Sequence, residues 1–154
     1  MNKINIREAT KSDHHFIFSL SPVLSEVADL SWHTDEVILK SHDDYIAEML
    51  AEASVPTLTL IAEIESKPCG FIHMRTRKDE TSRELAVTIP LLAILPEAQG
   101  FGLGPALIEK AKAWGRKLGC RLLHLEVYAN NKKAQRFYHQ IGFKEEMIHM
   151  VKEI

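Results

Sequence analysis

The stretch LPEAQGFGLGPAL, residues 95–107, places Gly100, Gly102 and Gly104 between an apolar run and a helical pattern. A strand feeding a glycine loop that opens a helix aims backbone N–H groups and the positive helix end at one spot, and anions bind there. Glycines leave a diphosphate's approach clear of side chains. The same residues also suit a tight strand-to-helix turn that holds nothing, so the loop alone leaves both readings open. Two phosphate loops fail at the level of residues. No GK[ST] follows, which removes the P-loop. The dinucleotide fingerprint GxGxxG needs glycine where Pro105 stands. Glu126 mimics its ribose-binding acid, but the 28 residues after Glu126 are too few to finish a doubly wound sheet.

The elements that position this loop follow from periodicity. Ile4 to Glu8 reads as a strand, Ser12 as the cap of a short helix burying Phe16, Ile17 and Leu20, and Ser21-Pro22 as the start of another segment through Val27. Trp32 to Asp35 reads as irregular, and His42 to Ala53 as a helix capped by Ser41. A strand from Leu58 to Glu65, a turn over Ser66 to Gly70 and a second strand through Arg75 make a hairpin. The Lys78–Arg83 link leads to a strand from Leu85 to Leu95 with Pro90 inside it. Proline cannot donate to a ladder, so this strand must bulge or part from a neighbour at Pro90. Leu107, Ala111, Trp114 and Leu118 recur at helical spacing before Gly119. Residues 121–129 follow as a strand, Asn131 to Ile141 as a helix ended by Gly142, and Phe143 to Val151 as a last strand. The order predicts a mixed α/β sheet.

Gln99-Gly100-Phe101-Gly102-Leu103-Gly104 resembles the coenzyme A loop Q/R-x-x-G-x-G/A of the GNAT superfamily of N-acyltransferases. The segment from Val127 to Phe143 is similar to the same family's V-x-x-x-N-x-x-A-x-x-x-Y-x-x-x-G-F, with Asn131, Ala134, Tyr138, Gly142 and Phe143 in register. The two motifs span Leu92 to Phe143, about a third of the chain. The resemblance implies one GNAT domain over 1–154, with a mostly antiparallel sheet whose strands splay at an acyl-CoA site. It implies acetyl-CoA as co-substrate, no metal, and a primary amine as acceptor. It places the strand segment Leu92, Ala93 and Ile94 on the pantetheine, the amides of Gln99 to Gly104 on the diphosphate, and Asn131, Ala134 and Tyr138 beside the coenzyme. Tyr138 would protonate the leaving thiolate. Asn131 is equally an N-cap by type, and Pro105 removes one N–H from the cradle.

The base that takes the ammonium proton is not given by the resemblance. Some relatives use a strand glutamate where Thr88 stands here, and Glu84, His73, His33 and Asp35 are the candidates by type. The reading is direct transfer from acetyl-CoA to an amine in a ternary complex. Asp29, Asp35 and Glu36 favour a small cationic amine over a protein amine, and the Trp32–Asp35 and Lys78–Arg83 segments are expected to border its pocket. The alternatives are a non-catalytic acyl-CoA sensor and, more distantly, a dinucleotide-binding enzyme.

A net charge of −2 gives no broad footprint for nucleic acid or an anionic membrane. No apolar run has the length of a membrane span, and the first residues lack a secretory pattern, so the expected location is the cytoplasm. Cys69 and Cys120 have no metal-ligand spacing and are expected to be buried free thiols. Met147, Ile148 and Met150 are read as either core or the interface of a homodimer.

Overall fold

Ile4 and Ile6 alternate with polar residues, and this segment forms β1, Ile4–Glu8. The computed structural model describes residues 2–154. A 3-10 turn at Lys11–Asp13 leads into α1, His14–Ser19, and α2, Ser21–Glu26, opens with Pro22, whose missing N–H is one the first turn leaves unpaired anyway. α3 runs Asp35–Leu50, so Ser41 lies inside the helix and the expected start at His42 is corrected. Thr34 accepts from the Val37 amide at 3.3 Å, while Asp35 and Glu36 meet the positive helix end.

β2, Thr57–Ile64, and β3, Lys67–Lys78, form a hairpin whose turn is only Glu65 and Ser66, both left-handed with φ of 50° and 65°. The expected turn over Ser66 to Gly70 is thus too long. Positive φ at two consecutive residues matches the twist of the flanking strands, and Pro68 sits within β3 opposite Glu63, beside a register shift at Ala62/Glu63. β4, Leu85–Ile94, a 3-10 turn at Pro96–Ala98, α4, Leu103–Lys117, β5, Leu123–Leu125, and α5, Lys132–Gln140, complete the chain's regular elements.

The strands lie in the order β1-β2-β3-β4-β5, antiparallel through β4, with β5 parallel to β4. This is an open, mixed α/β sheet. Leu103, Leu107, Ile108 and Ala111 of α4 cover one face, on Leu60, Ile72, Met74 and Val87, with Phe137 and Tyr138 of α5 beside them. Ile17, Leu20 and Ile46 of α1 to α3 cover the other, on Ile61, Phe71, Leu91 and Ala93. No helix among the described residues is long and apolar enough to cross a membrane. Cys69 and Cys120 are free and half-buried rather than buried.

Two expected strands change. The strand over 121–129 contracts to Leu123–Leu125 because its ladder ends where β4 reaches Pro90. Phe143 to Val151 forms no strand, and its Met147, Ile148 and Met150 side chains are exposed.

Candidate active site

Pro90 shapes β4 in two ways. The parallel ladder to β5 runs Val87–Leu123, Thr88–His124 and Ile89–Leu125, then stops. On the other edge, His73 pairs with Leu91 and Arg75 with Thr88, so β4 carries one residue more than β3 across this step. The extra residue reverses the alternation. Val87 and Ile89 face α4, then Leu92 and Ile94 join them, while Leu91 and Ala93 face α1 to α3. The Leu95 amide donates to the Cys69 carbonyl at 2.8 Å, toward β3. Alternation therefore aims the peptide groups of Ala93 at β3 and those of Leu92 and Ile94 into the gap left by β5. Ala93, grouped with its neighbours by the sequence reading, is turned away from the gap.

The glycine loop closes one end of this gap. Gly100 and Gly102 both adopt φ of 85°, where an L side chain is strained, and a Cβ added to either would meet nothing within 4 Å. The loop surface is thus open, and Gly102 is the N-cap of the fifteen-residue α4. Gly104 has another reason to be glycine: a Cβ there would stand 3.1 Å from the Phe137 ring of α5. The Gln99 side-chain Nε2 donates to the Ile94 carbonyl at 3.3 Å, and its Oε1 accepts from Lys133 Nζ at 2.6 Å, which brings a cation to the loop. Sequence reasoning missed Lys133. Phe101 is exposed, and Leu103, the first residue of α4, is buried against the sheet.

Asn131 caps α5, accepting from the Ala134 amide at 3.2 Å. Tyr138 stacks on Phe137 with centroids 5.2 Å apart and meets Phe143 edge-on at 5.6 Å. Burial raises its hydroxyl above the ordinary value of 10.0.

A cavity of about 270 Å³ lies on the far side of the gap, lined by Ser41, His42 and Tyr45 of α3, Pro90 and Leu91 of β4, and Tyr128. Tyr128 is positioned by the main chain: Gln135 donates to the carbonyls of Tyr128 and Ala129, each at 2.9 Å. Asn130 ties this segment to the α2–α3 loop, donating to the Val27 carbonyl at 2.7 Å and accepting from the Asp29 amide at 3.2 Å. The Ser25 hydroxyl donates to the Ser21 carbonyl at 2.9 Å, so its oxygen accepts from His42 Nδ1–H at 2.8 Å. That assigns the lone pair to His42 Nε2, 3.4 Å from the Tyr128 hydroxyl. Burial holds His42 below its ordinary value of 6.5, against the pull of the Ile38 main chain and the Asp43 charge. Burial also raises the Tyr45 hydroxyl, opposed by Arg75 and aided by Glu48 and Glu126.

None of the bases expected from sequence lines this cavity. Glu84 pairs with Arg121 at the start of β4, away from the glycine loop. Asp35 serves the first turn of α3. His33 and Trp32 lie in the loop before it, and the Lys78–Arg83 link folds into a turn around the Asp79 carboxylate, so neither segment borders the cavity. Asp79, His124 and Glu146 each bring one ligand-type atom within 4.8 Å of the others. Asp79 Oδ1 is already engaged there by the Thr81 and Ser82 amides.

His73 is 2% exposed, bonded through Nδ1 to Thr59 Oγ1 at 2.7 Å, and pushed down to about 4 by burial and the Arg75 charge. It is an interior histidine, with a consequence for stability. The unfolded chain takes this proton below pH 6.5 and the folded chain only near pH 4, so the contribution is complete above 6.5 and lost on acidification through that window. Urea unfolding is expected to show a loss of about 3 kcal/mol between these limits, flattened in His73→Asn.

Pro90 and Leu91 of β4 line the cavity, and the 3-10 turn that follows β4 leads into the glycine loop. The pattern of the Acetyltransferase (GNAT) family matches residues 24–143. The chain belongs to that family. It is 30% identical over 135 residues to the uncharacterized N-acetyltransferase YjhQ of Escherichia coli, covering 85% of this chain and 71% of that one. It is 35% identical over 90 residues to an uncharacterized N-acetyltransferase of Methanocaldococcus jannaschii, covering 57% of this chain and only 39% of that longer protein. The fold is similar to that of the aminoglycoside N-acetyltransferase AAC(6')-Iy in complex with CoA, with a TM-score of 0.74, 22% identity, and 99% and 96% of the two chains covered. GNAT membership makes this an acyltransferase fold, and the splayed β4 and β5 are where the family resemblance anticipated them.

Proposed function

We propose that the chain, as one GNAT domain over 1–154 acting in the cytoplasm, transfers an acetyl group from acetyl-CoA to a primary amine within a ternary complex. The observation that carries this is the Pro90 gap, with left-handed glycines at one end and the His42–Tyr128 cavity at the other. The amides of Gln99 to Gly104 hold the diphosphate at the start of α4, aided by Lys133. Leu92 and Ile94 bind the pantetheine and thioester through main-chain groups that β5 leaves free. An amide fixed beside the carbonyl stabilises the negative charge that develops on its oxygen without reorganising water. Asn131 and Ala134 support the coenzyme arm through the capped first turn of α5.

His42 takes the ammonium proton through Nε2, directly or by way of the Tyr128 hydroxyl, while Ser25 keeps the ring in the required tautomer. Tyr138 hydrogen-bonds the departing thiolate and returns a proton to it. Glu48 and Glu126 act on Tyr45 at the cavity against the charge of Arg75, and the acceptor is read as a small cationic amine rather than a protein amine. AAC(6')-Iy, an aminoglycoside N-acetyltransferase, supports the same class.

Release of free CoA thiol from acetyl-CoA is to be measured with aminoglycosides, polyamines and peptide amines. The expected result is release with a small polycationic amine. Coenzyme binding without release for any amine would replace transfer with a sensor role, and stabilisation by NAD rather than CoA would sink both. Tyr138→Phe is expected to lower kcat about tenfold with the KM for acetyl-CoA unchanged. An unchanged kcat at saturating amine would remove Tyr138 from the proton path.

A further inference from the structure

Asp79 follows β3, His124 is the middle residue of β5, and Glu146 lies beyond α5, so three distant stretches of chain bring their side chains to one place. Asp79 is 2% exposed and held from several sides. Its amide donates to the Glu84 carbonyl and its carbonyl accepts from the Arg83 amide, each at 2.9 Å. Oδ1 accepts from the Thr81 and Ser82 amides at 3.0 and 2.7 Å and from the Ser82 hydroxyl at 3.1 Å. The Ser82 amide, followed by the Ser82 hydroxyl and the Thr81 amide, holds the carboxyl below the ordinary carboxylate range. Oδ2 is left to face His124 Nε2 at 3.0 Å.

That contact is not a hydrogen bond. His124 Nε2 is buried and has no hydrogen-bond partner among the described residues, so Oδ2 stands off the line along which a ring N–H would point. His139 and Glu145, 2.6 Å apart, make the bond that His124 and Asp79 do not. A buried ring nitrogen beside a buried carboxylate, with no proton shared between them, leaves both short of a partner. One metal ion would serve both. Two atoms each about 2.1 Å from an ion, with their bonds at right angles, are about 3.0 Å apart. Glu146 Oε2 lies 4.0 Å from His124 Nδ1 on a side chain that is 63% exposed, so a change of rotamer brings it to the same ion. Arg121, whose charge reaches Asp79, is already paired with Glu84.

We propose that Asp79 Oδ2, His124 Nε2 and a carboxylate oxygen of Glu146 bind a divalent transition-metal ion of the Zn²⁺ class. One imidazole and two carboxylates select such an ion over Mg²⁺, which prefers oxygen ligands and dehydrates reluctantly. The ion's charge balances the two carboxylates. His124 pairs with Thr88 in the β4–β5 ladder, one rung before that ladder ends, so the ion braces the ladder just short of the gap. It also ties down the segment beyond α5, which forms no strand of its own. The site is structural, and the inference is independent of the catalytic reading.

Calorimetric titration of Zn²⁺ into the chelator-stripped full chain is expected to show one ion per chain with a Kd tighter than about 10 μM. Saturating Zn²⁺ should raise the melting temperature, and Mg²⁺ should not. Glu146→Gln and His124→Gln are each expected to weaken Zn²⁺ binding at least about tenfold. Because the Glu146 side chain is exposed, Glu146→Gln should fold even if His124→Gln does not. His14→Ala/His15→Ala, which removes the adjacent pair of histidines, is expected to bind Zn²⁺ as the parent does. Weaker binding by the parent shows that Asp79 and His124 form an ion pair only, and it overturns the proposal. So does an affinity unchanged in Glu146→Gln or in a folded His124→Gln, or one lost with His14 and His15, since the ion then sits elsewhere.

Discussion

His42→Asn is expected to lower kcat about a hundredfold, the lower end of what a positioned base contributes. Asparagine keeps a donor at the place of Nδ1, so the bond to Ser25 and the local packing of α3 are retained while the lone pair at Nε2 is lost. The ring is held below 6.5, so it is neutral at pH 7 and protonated on acidification. The wild-type rate should therefore rise with pH along a limb lying below 6.5 and then level, and that limb should vanish in the variant. The KM for acetyl-CoA should not change, because the cavity lies across the gap from the glycine loop. A variant that keeps the acid limb, or one that loses coenzyme affinity in step with kcat, would show that His42 is structural. Tyr128→Phe gives the companion measurement: loss of its hydroxyl with the limb retained would make Tyr128 a relay and His42 the acceptor.

His42 was in view in the sequence and was misplaced, for a physical reason. Ser41 has the type of an N-cap, and reading it so puts His42 in the exposed first turn. Thr34 followed by Asp35 and Glu36 is the stronger signal, since a cap and two carboxylates act together on the same helix end. Starting α3 there carries His42 into the buried interior, where the histidine meets Ser25 from α2 and Tyr128 from beyond β5. Those meetings span long stretches of chain, and no local pattern encodes them. Pro90 was different, because the missing N–H acts on its own strand, and both predicted consequences occur: a bulge against β3 and an end to the β5 ladder. What could not be read was that the bulge reverses the alternation and separates Ala93 from Leu92 and Ile94. The length of the β5 strand and the lack of one over 143–151 depend on which edges find partners, which periodicity does not report.

The glycines separate in the same way, and the separation gives the second large effect. Gly102→Val is expected to weaken coenzyme A binding at least a hundredfold by calorimetry, about 2.7 kcal/mol, while Gly104→Val is expected to act first on stability. At Gly102 the backbone has φ of 85°, and a β-branched residue either pays strain there or swings to negative φ, turning the N–H groups of the helix start away from the anion. A Cβ at Gly102 meets nothing within 4 Å, so packing is spared and the loss should fall on the ligand. At Gly104 the φ is ordinary and the obstacle is the Phe137 ring at 3.1 Å, so valine there forces α4 and α5 apart and lowers the melting temperature. Both effects start from one added side chain in neighbouring turns, yet they should divide between ligand affinity and folding. If Gly102→Val binds coenzyme A as tightly as the parent while remaining folded, the loop amides are not what holds the diphosphate, and the placement of the thioester beside Leu92 and Ile94 fails with them.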